Sequence, residues 1–280
     1  MNNKLPEFKQ LIFPSFLSLA KGVKINESGI HSRVQFNGIV INQADINRFA
    51  TFVGTATPTP FVYIYILAQR AQAALMLQKE FTIAIPGLVH IANQLEEVNP
   101  IDYSAPFDIL ATVDVEYKAT GSLIPVFNVD FIQKGVIVTR CQSTYLAKRK
   151  SNKPKSTAAV DDPVTKPFLT EELSIPANAG RQYAKVAGDR NPIHTSTLLA
   201  KVFGFKRPIA HGWYLVSKIV NLCEQHQNTT YKTINVEFKS PVFLPGAIVL
   251  QVEEKSDGIL LFSALSKESN RLVLTGSLRA

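Results

Sequence analysis

Cysteine, methionine and tryptophan are scarce, with 2, 2 and 1 in 280 residues. Cys141 and Cys223 lie too far apart in sequence to suggest a disulfide framework or a thiolate metal cluster, which suits a reducing compartment. Long apolar runs are missing as well. The longest, Phe61 to Ala68, stops at Gln69-Arg70, short of the roughly 18 residues that a membrane span needs. Lys4 and Lys9 precede an apolar segment, Leu11 to Ala20, as in a signal peptide. Glu7 in the charged part, Pro14 in the apolar part and the lack of a small-residue cleavage pattern before Lys21 argue against one, so the expected location is cytoplasmic. What is plentiful is ordinary core material: 46% apolar residues at a mean hydropathy of +0.06. That excludes global disorder and allows one large core or two ordinary ones.

The formal charge is +8, from 30 Lys and Arg against 22 Asp and Glu, which opens the question of an anionic partner. It is unevenly spread. Residues 1–147 hold 11 basic and 11 acidic groups, residues 148–170 hold 6 and 2, and residues 171–280 hold 13 and 9. The middle segment, with three prolines and few large apolar residues, has the composition of a surface linker. It divides the chain into an expected N-terminal domain, 1–147, and a C-terminal domain, 171–280. A nucleic-acid reader would interleave aromatics with its basic stretch, and Lys148 to Lys155 contains none, so no nucleic-acid partner is expected.

The two halves repeat one order of patterns. NRFATFVG ends at Gly54 and GRQYAKVAG ends at Gly188, an offset of 134 that also lays Phe49-Ala50 on Tyr183-Ala184. Each is followed by an apolar helical stretch, Phe61 to Gln78 and Trp213 to Glu224; the second places Trp213, Val216, Ile219, Val220 and Cys223 on one face. Alternating strands come next: Phe107 to Tyr117, Leu123 to Ile132 and Val136 to Leu146 in the first half. In the second half they are Thr233 to Phe238, Ala247 to Glu254, Gly258 to Leu265 and Leu272 to Leu278. A helix followed by an antiparallel meander implies an α+β unit whose sheet wraps its own helix.

Candidate chemistry is concentrated between Tyr183 and Gly212. In GDRNPIH, Gly188 permits unusual dihedrals and Pro192 keeps Asn191 out of the helical region, so the chain must turn between Asp189 and His194. A carboxylate and an imidazole can then converge on one water, as adding water to a polarised double bond requires. His211-Gly212 precedes the second long helix, whose N-terminal amides and partial positive charge could hold a developing oxyanion. An isolated Asp or His in a Gly/Pro loop also serves as turn former or cap. Tyr183 and Phe205 are equally readable as core aromatics or pocket walls.

The spaced string YA-x-x-x-GD-x-NPIH at Tyr183 to His194, followed by GF at Gly204-Phe205 and IAHG at Ile209 to Gly212, resembles the MaoC-like dehydratase, or (R)-specific enoyl-CoA hydratase, family. The resemblance implies a double hot-dog fold: two antiparallel sheets, each wrapped on a long central helix, with a degenerate first unit before an active second one. It implies a hydro-lyase that interconverts trans-2-enoyl and (3R)-hydroxyacyl thioesters of fatty acid metabolism. Asp189 and His194 would hold and activate water, Gly212 would receive the thioester oxygen, and Asn191 would orient the loop. His211, Trp213, Phe205, Lys206 and Arg207 would contact the substrate, the two basic residues meeting phosphates of coenzyme A or the acidic surface of an acyl carrier protein. Neither a metal nor a redox cofactor is implied, and a monomer or a homodimer fits. The chain departs from the pattern in two places: Trp213 replaces the usual methionine and Val220 the serine of some members, for which Ser217 is a weak substitute. By the offset of 134, Thr55 and Pro60 stand opposite Asp189 and His194, so the dyad is not duplicated, and His90 in GLVHIAN is expected to be structural or pocket-lining. A hot-dog thioesterase and a non-catalytic acyl-binding protein are the competing readings, since one fold can direct water elsewhere or not at all.

Overall fold

The computed structural model describes residues 5–6, 31–55, 57, 60–85, 88–117, 122–147 and 164–280. The linker expected at 148–170 lies outside them up to residue 163, as does the segment 11–20 weighed as a leader. In chain order the first elements are β1 (His31–Ile39), α1 (Gln43–Val53), a 3-10 turn (Phe61–Tyr63), α2 (Ile64–Met76), β2 (Leu88–Glu97), β3 (Phe107–Tyr117), β4 (Leu123–Gln133) and β5 (Val136–Ala147). Then follow β6 (Leu169–Ile175), α3 (Ala179–Ala187), α4 (Pro192–Thr195), α5 (Thr197–Val202), α6 (Gly212–Gln227), β7 (Thr233–Phe238), β8 (Gly246–Glu254), β9 (Leu260–Ser266) and β10 (Leu272–Arg279). The chain is α+β with antiparallel strand pairing, and no helix among the described residues is long and apolar enough to cross a membrane. It forms two compact units, Met1–Asn42 with Tyr63–Ala158 and Gln43–Val62 with Ala159–Ala280.

In the first unit the strands run β1-β3-β4-β5-β2, all antiparallel. The period of two in β3 and β4 sends Phe107, Ile109, Ala111, Phe127, Val129 and Phe131 inward, all fully buried. Helix α2 packs on β1, β3 and β4 and is apolar on nearly every side, as its sequence requires. Its fully buried Gln72 is hydrogen-bonded. Gln72 Nε2 donates to Ser143 Oγ at 2.8 Å, and Asn93 Nδ2 donates to the same oxygen at 2.7 Å. His90 lies between aromatic rings, 4.6 Å from that of Tyr145 and 5.9 Å from that of Tyr65. Burial pushes its imidazole down to about 4, against a bond to Ala92 that works the other way.

In the second unit the order is β7-β10-β9-β8-β6, again antiparallel. Ile234, Ile248, Leu250, Val252, Phe262, Ala264 and Leu274 supply its sheet's buried face. The expected face of α6 is buried, together with Tyr214, Leu215, Ser217 and Asn221. Ser217 Oγ donates to the Trp213 carbonyl at 2.7 Å within the helix. Strand β6 begins inside the segment read from composition as linker. It is an edge strand paired on one side only and mostly exposed, so it carries no apolar alternation to betray it.

Helix α1 packs on α3 and α6 within this second unit. Both α1 and α3 end on the glycines that the repeat aligned: Gly54 (φ 86°) and Gly188 (φ 84°) are left-handed. The carbonyls left over at the end of α1 are met by α6 side chains, with Lys218 Nζ on Val53 O at 2.9 Å and Asn221 and Gln225 on Gly54 O at 3.3 Å.

The depressed His90 sets an acid limit on stability. Its unfolded imidazole takes up a proton near 6.5 whereas the folded one resists until about 4, so stability is complete above pH 6.5 and is lost as pH falls toward 4. Urea midpoints recorded across that interval should decline for the native chain and decline less for His90→Phe.

Candidate active site

Helix α3 buries Ala179, Gly180, Tyr183, Ala184 and Ala187 and stops at Gly188, whose amide returns to Ala184 O at 3.0 Å. The loop that follows is held by its own side chains. Asp189 Oδ1 accepts from Asn191 N at 3.1 Å, and Asn191 Oδ1 accepts from Ile193 N at 3.3 Å, capping the short helix α4. Pro192 occupies the first turn of α4 and leaves Asn191 extended at ψ 124°, as a residue before proline must be. Asn191 therefore shapes the loop by capping, and it is exposed.

Segment Pro208–Ala210 then runs back past α4. Ile209 N donates to Ile193 O at 3.1 Å, Ala210 N to Val242 O at 2.8 Å, and Leu244 N to Pro208 O at 2.8 Å. His194 Nδ1 lies 2.8 Å from Ile209 O. A backbone carbonyl only accepts, so Nδ1 carries the hydrogen and Nε2 keeps its lone pair. Gly180 makes this possible on the other side of α4, because a Cβ there would collide with the His194 carbonyl oxygen.

His211 completes the cluster. Its ring stacks on His194, with centroids 3.8 Å apart and planes inclined by 28°, and lies 4.6 Å from the ring of Tyr183. Its Nε2 is 3.1 Å from the backbone carbonyl of Asp189 and 3.9 Å from the Asp189 carboxylate. One nitrogen or oxygen atom from each of Asp189, His194 and His211 falls within 4.8 Å of the others. Access separates the three: the Asp189 side chain is 16% exposed and His194 is half-buried, but His211 is buried at 3%.

Burial dominates the protonation of the imidazoles. It lowers His194, while the Asp189 charge and the bond to Ile209 O pull upward. It pushes His211 down to about 3, and the neighbouring His194 adds to that. Tyr183 is raised well above its usual value by burial and by Asp189. Asp189, His194 and His211 each offer one atom that could ligate an ion.

Of the other sequence candidates, Gly212 is the first residue of α6, where amides lack intrahelical partners. Glycine has a packing reason there as well: a Cβ would stand 2.6 Å from Phe238 Cε1. Trp213 is buried and its indole donates to Val62 O at 2.9 Å. Phe205 is half-buried and Lys206 exposed. Arg207 is ion-paired with Glu268 and lies over the Phe243 ring, 5.6 Å from its centroid. Sequence reasoning missed Gly180 and the Ile209 carbonyl. A close approach of backbone leaves no mark on the approached residue, so only the glycine itself could have hinted at it.

Residues 155–271 match the family model described as MaoC like domain. The chain is 28% identical over 229 residues to 3-hydroxyacyl-thioester dehydratase X of Mycobacterium tuberculosis, over 78% of this chain and 79% of that protein. It is 32% identical over 74 residues to the (R)-specific enoyl-CoA hydratase of Aeromonas caviae, over 25% of this chain and 55% of that one. The crystal structure of HtdX of M. tuberculosis is similar at a TM-score of 0.71 and 23% identity, covering 89% of this chain and 100% of that chain. At that identity the likeness is one of fold.

The contact at Gly180 yields a prediction. Gly180→Ala must displace α4 or α3, so denaturant unfolding should show a loss of about 1–3 kcal/mol, although alanine is the better helix former. An unchanged or higher midpoint would show that α4 has room to shift.

Proposed function

We propose that the chain, whose residues 155–271 match the family model described as MaoC like domain, adds water reversibly to trans-2-enoyl thioesters, giving (3R)-3-hydroxyacyl thioesters, at the cluster around Asp189 and His194. The observation that carries this assignment is the clustering of an accessible carboxylate with an imidazole whose tautomer is fixed by its Nδ1–H bond to Ile209 O, one polar atom of each lying within 4.8 Å of the other.

In the hydration direction the water lies between the Asp189 carboxylate and His194 Nε2. Its O–H bond breaks as its oxygen forms a bond to the β carbon, and the proton passes to the dyad. The π electrons move onto the thioester oxygen as an enolate, which the amides at Gly212 and the first turn of α6 stabilise. The dyad then delivers a proton to the α carbon, restoring the carbonyl. Dehydration runs the same steps backwards. No step calls on a metal or a redox cofactor.

Each unit, with one long helix and five strands, corresponds to one hot dog of a double hot-dog chain, and the second holds the working site. Trp213, fixed by its bond to Val62 O, acts as a wall of the acyl pocket, with Phe205 beside it. Lys206, exposed just after α5, meets the phosphates of coenzyme A or the acidic surface of an acyl carrier protein. Arg207, committed to Glu268, contributes as the rim's fixed positive charge. The chain works in the cytoplasm, as a monomer or a homodimer.

Purified protein should hydrate crotonyl-CoA and longer trans-2-enoyl-CoAs to the (3R) product, and Asp189→Asn should lower kcat by about 1,000-fold or more with an unchanged circular dichroism spectrum. Thiol release from saturated acyl-CoA without hydration would make the chain a thioesterase instead. The pH profile has a definite sign. Neutral His194 is the working form for hydration, and its burial lowers it from 6.5. Hydration kcat/KM should therefore stay level from pH 8 through 6.5 and fall only on an acid limb centred below 6.5.

A further inference from the structure

We infer that His211 is a positioning residue, a neutral imidazole that holds the backbone of Asp189 and backs the ring of His194 without touching substrate. The inference rests on the hydratase reading for its kinetic consequences but on geometry for its substance.

The bond from Nε2 to Asp189 O fixes the His211 tautomer, because that carbonyl can only accept. The hydrogen is therefore on Nε2. The other nitrogen, Nδ1, is buried and has no hydrogen-bond partner among the described residues. Protonation would place a new N–H at that unpartnered position and a charge in a site sealed at 3% exposure. It would also stack one cation 3.8 Å from the ring that is to receive a proton from water. The titratable groups facing His211 are Asp189 on the loop, His194 on α4 and Tyr183 on α3. The single negative charge among them does not offset burial, in keeping with an imidazole pushed down to about 3. Two stacked imidazoles beside one carboxylate thus divide their work: the half-buried one exchanges protons and the buried one does not.

This arrangement explains why a histidine serves here where a purely apolar ring would not. Asp189 is held at Oδ1 by Asn191 N, a bond local to its own loop. The His211 bond ties the Asp189 backbone to the start of α6, of which His211 is the N-cap residue. The carboxylate, the His194 ring and the amides at Gly212 are thereby referred to one residue, and a misplacement of about 1 Å among such groups can cost about 100-fold in rate.

The test combines imidazole nitrogen NMR of the native protein with two variants. His211→Phe keeps a ring against His194 but has no donor; His211→Gln places an amide nitrogen near the position of Nε2. The His211 signals, identified by their loss in His211→Gln, should show a neutral Nε2–H ring from pH 8 down to pH 5. Titration within that range, or an Nδ1–H tautomer, would overturn the inference whatever the enzyme's activity. In kinetics on crotonyl-CoA, His211→Phe should lose about 10- to 100-fold in kcat with KM within about 3-fold, and His211→Gln should recover most of that loss. Glutamine also leaves the inner face of His194 less enclosed, so its acid limb should move up toward pH 6.5. A normal kcat for His211→Phe, or a rise in KM alone, would make His211 dispensable or a substrate contact. If the native protein hydrates no enoyl thioester, the hydratase reading fails, and the NMR result still judges the geometry.

Discussion

The bond from His194 Nδ1 to the carbonyl of Ile209 is the constraint on which the site depends. It joins two stretches, GDRNPIH and IAHG, separated by α5 and its following loop, and it does so through a group that every residue possesses. The amide of Ile209 returns a second bond to Ile193 O, so α4 and the 208–210 segment are tied in both directions. With those bonds in place, His211 stacks on His194 and against Tyr183, and α6 begins at the next residue. Without them, the loop that carries Asp189 and His194 would lose its ties to the 208–210 segment.

Burial and charge oppose each other here, and the balance differs from ring to ring. His194 is half-buried, so burial lowers its proton affinity while the adjoining carboxylate and the carbonyl bond limit the fall. His211 makes an analogous carbonyl bond and has the same carboxylate nearby, and burial together with the stacked His194 pushes it down to about 3. Burial is the largest cause in both rings, and it is the variable that a fold controls most directly through packing. His90 obeys the same rule in the first unit, enclosed by Tyr65 and Tyr145. It shows that a depressed imidazole alone does not make a site; an accessible partner carboxylate does.

Much of this was legible in the sequence, for reasons that can be named. Gly188 and Pro192 announced a turn because their backbone restrictions are intrinsic, and the structure places Gly188 at φ 84° and Asn191 extended. The apolar stripe of α6 and the alternation of β3 and β4 were legible because periodicity survives whatever the partner is. Three features were not. Strand β6 is an exposed edge held by backbone pairing, so its composition matches a loop. Helix α1 packs in the second unit although it lies far ahead of that unit in sequence, and local pattern carries no record of such a partner. The roles of Gly180 and the Ile209 carbonyl arise from close backbone approaches that exist only once α3, α4 and the 208–210 segment have come together.

The place of α1 in the second unit bears on what holds the aromatic backing of the cluster. Its C-terminal carbonyls are satisfied by Lys218, Asn221 and Gln225, all on α6, and Phe52 packs against both Tyr183 and Tyr214. Tyr183 is in turn the ring behind His211. The first repeat thus supplies a helix that buttresses the aromatic backing of the second repeat's cluster. Thr55 and Pro60, which the offset of 134 lays opposite Asp189 and His194, lie in the same Gln43–Val62 segment, so the stretch that carries neither dyad group is grouped with the unit whose aromatic backing α1 supports.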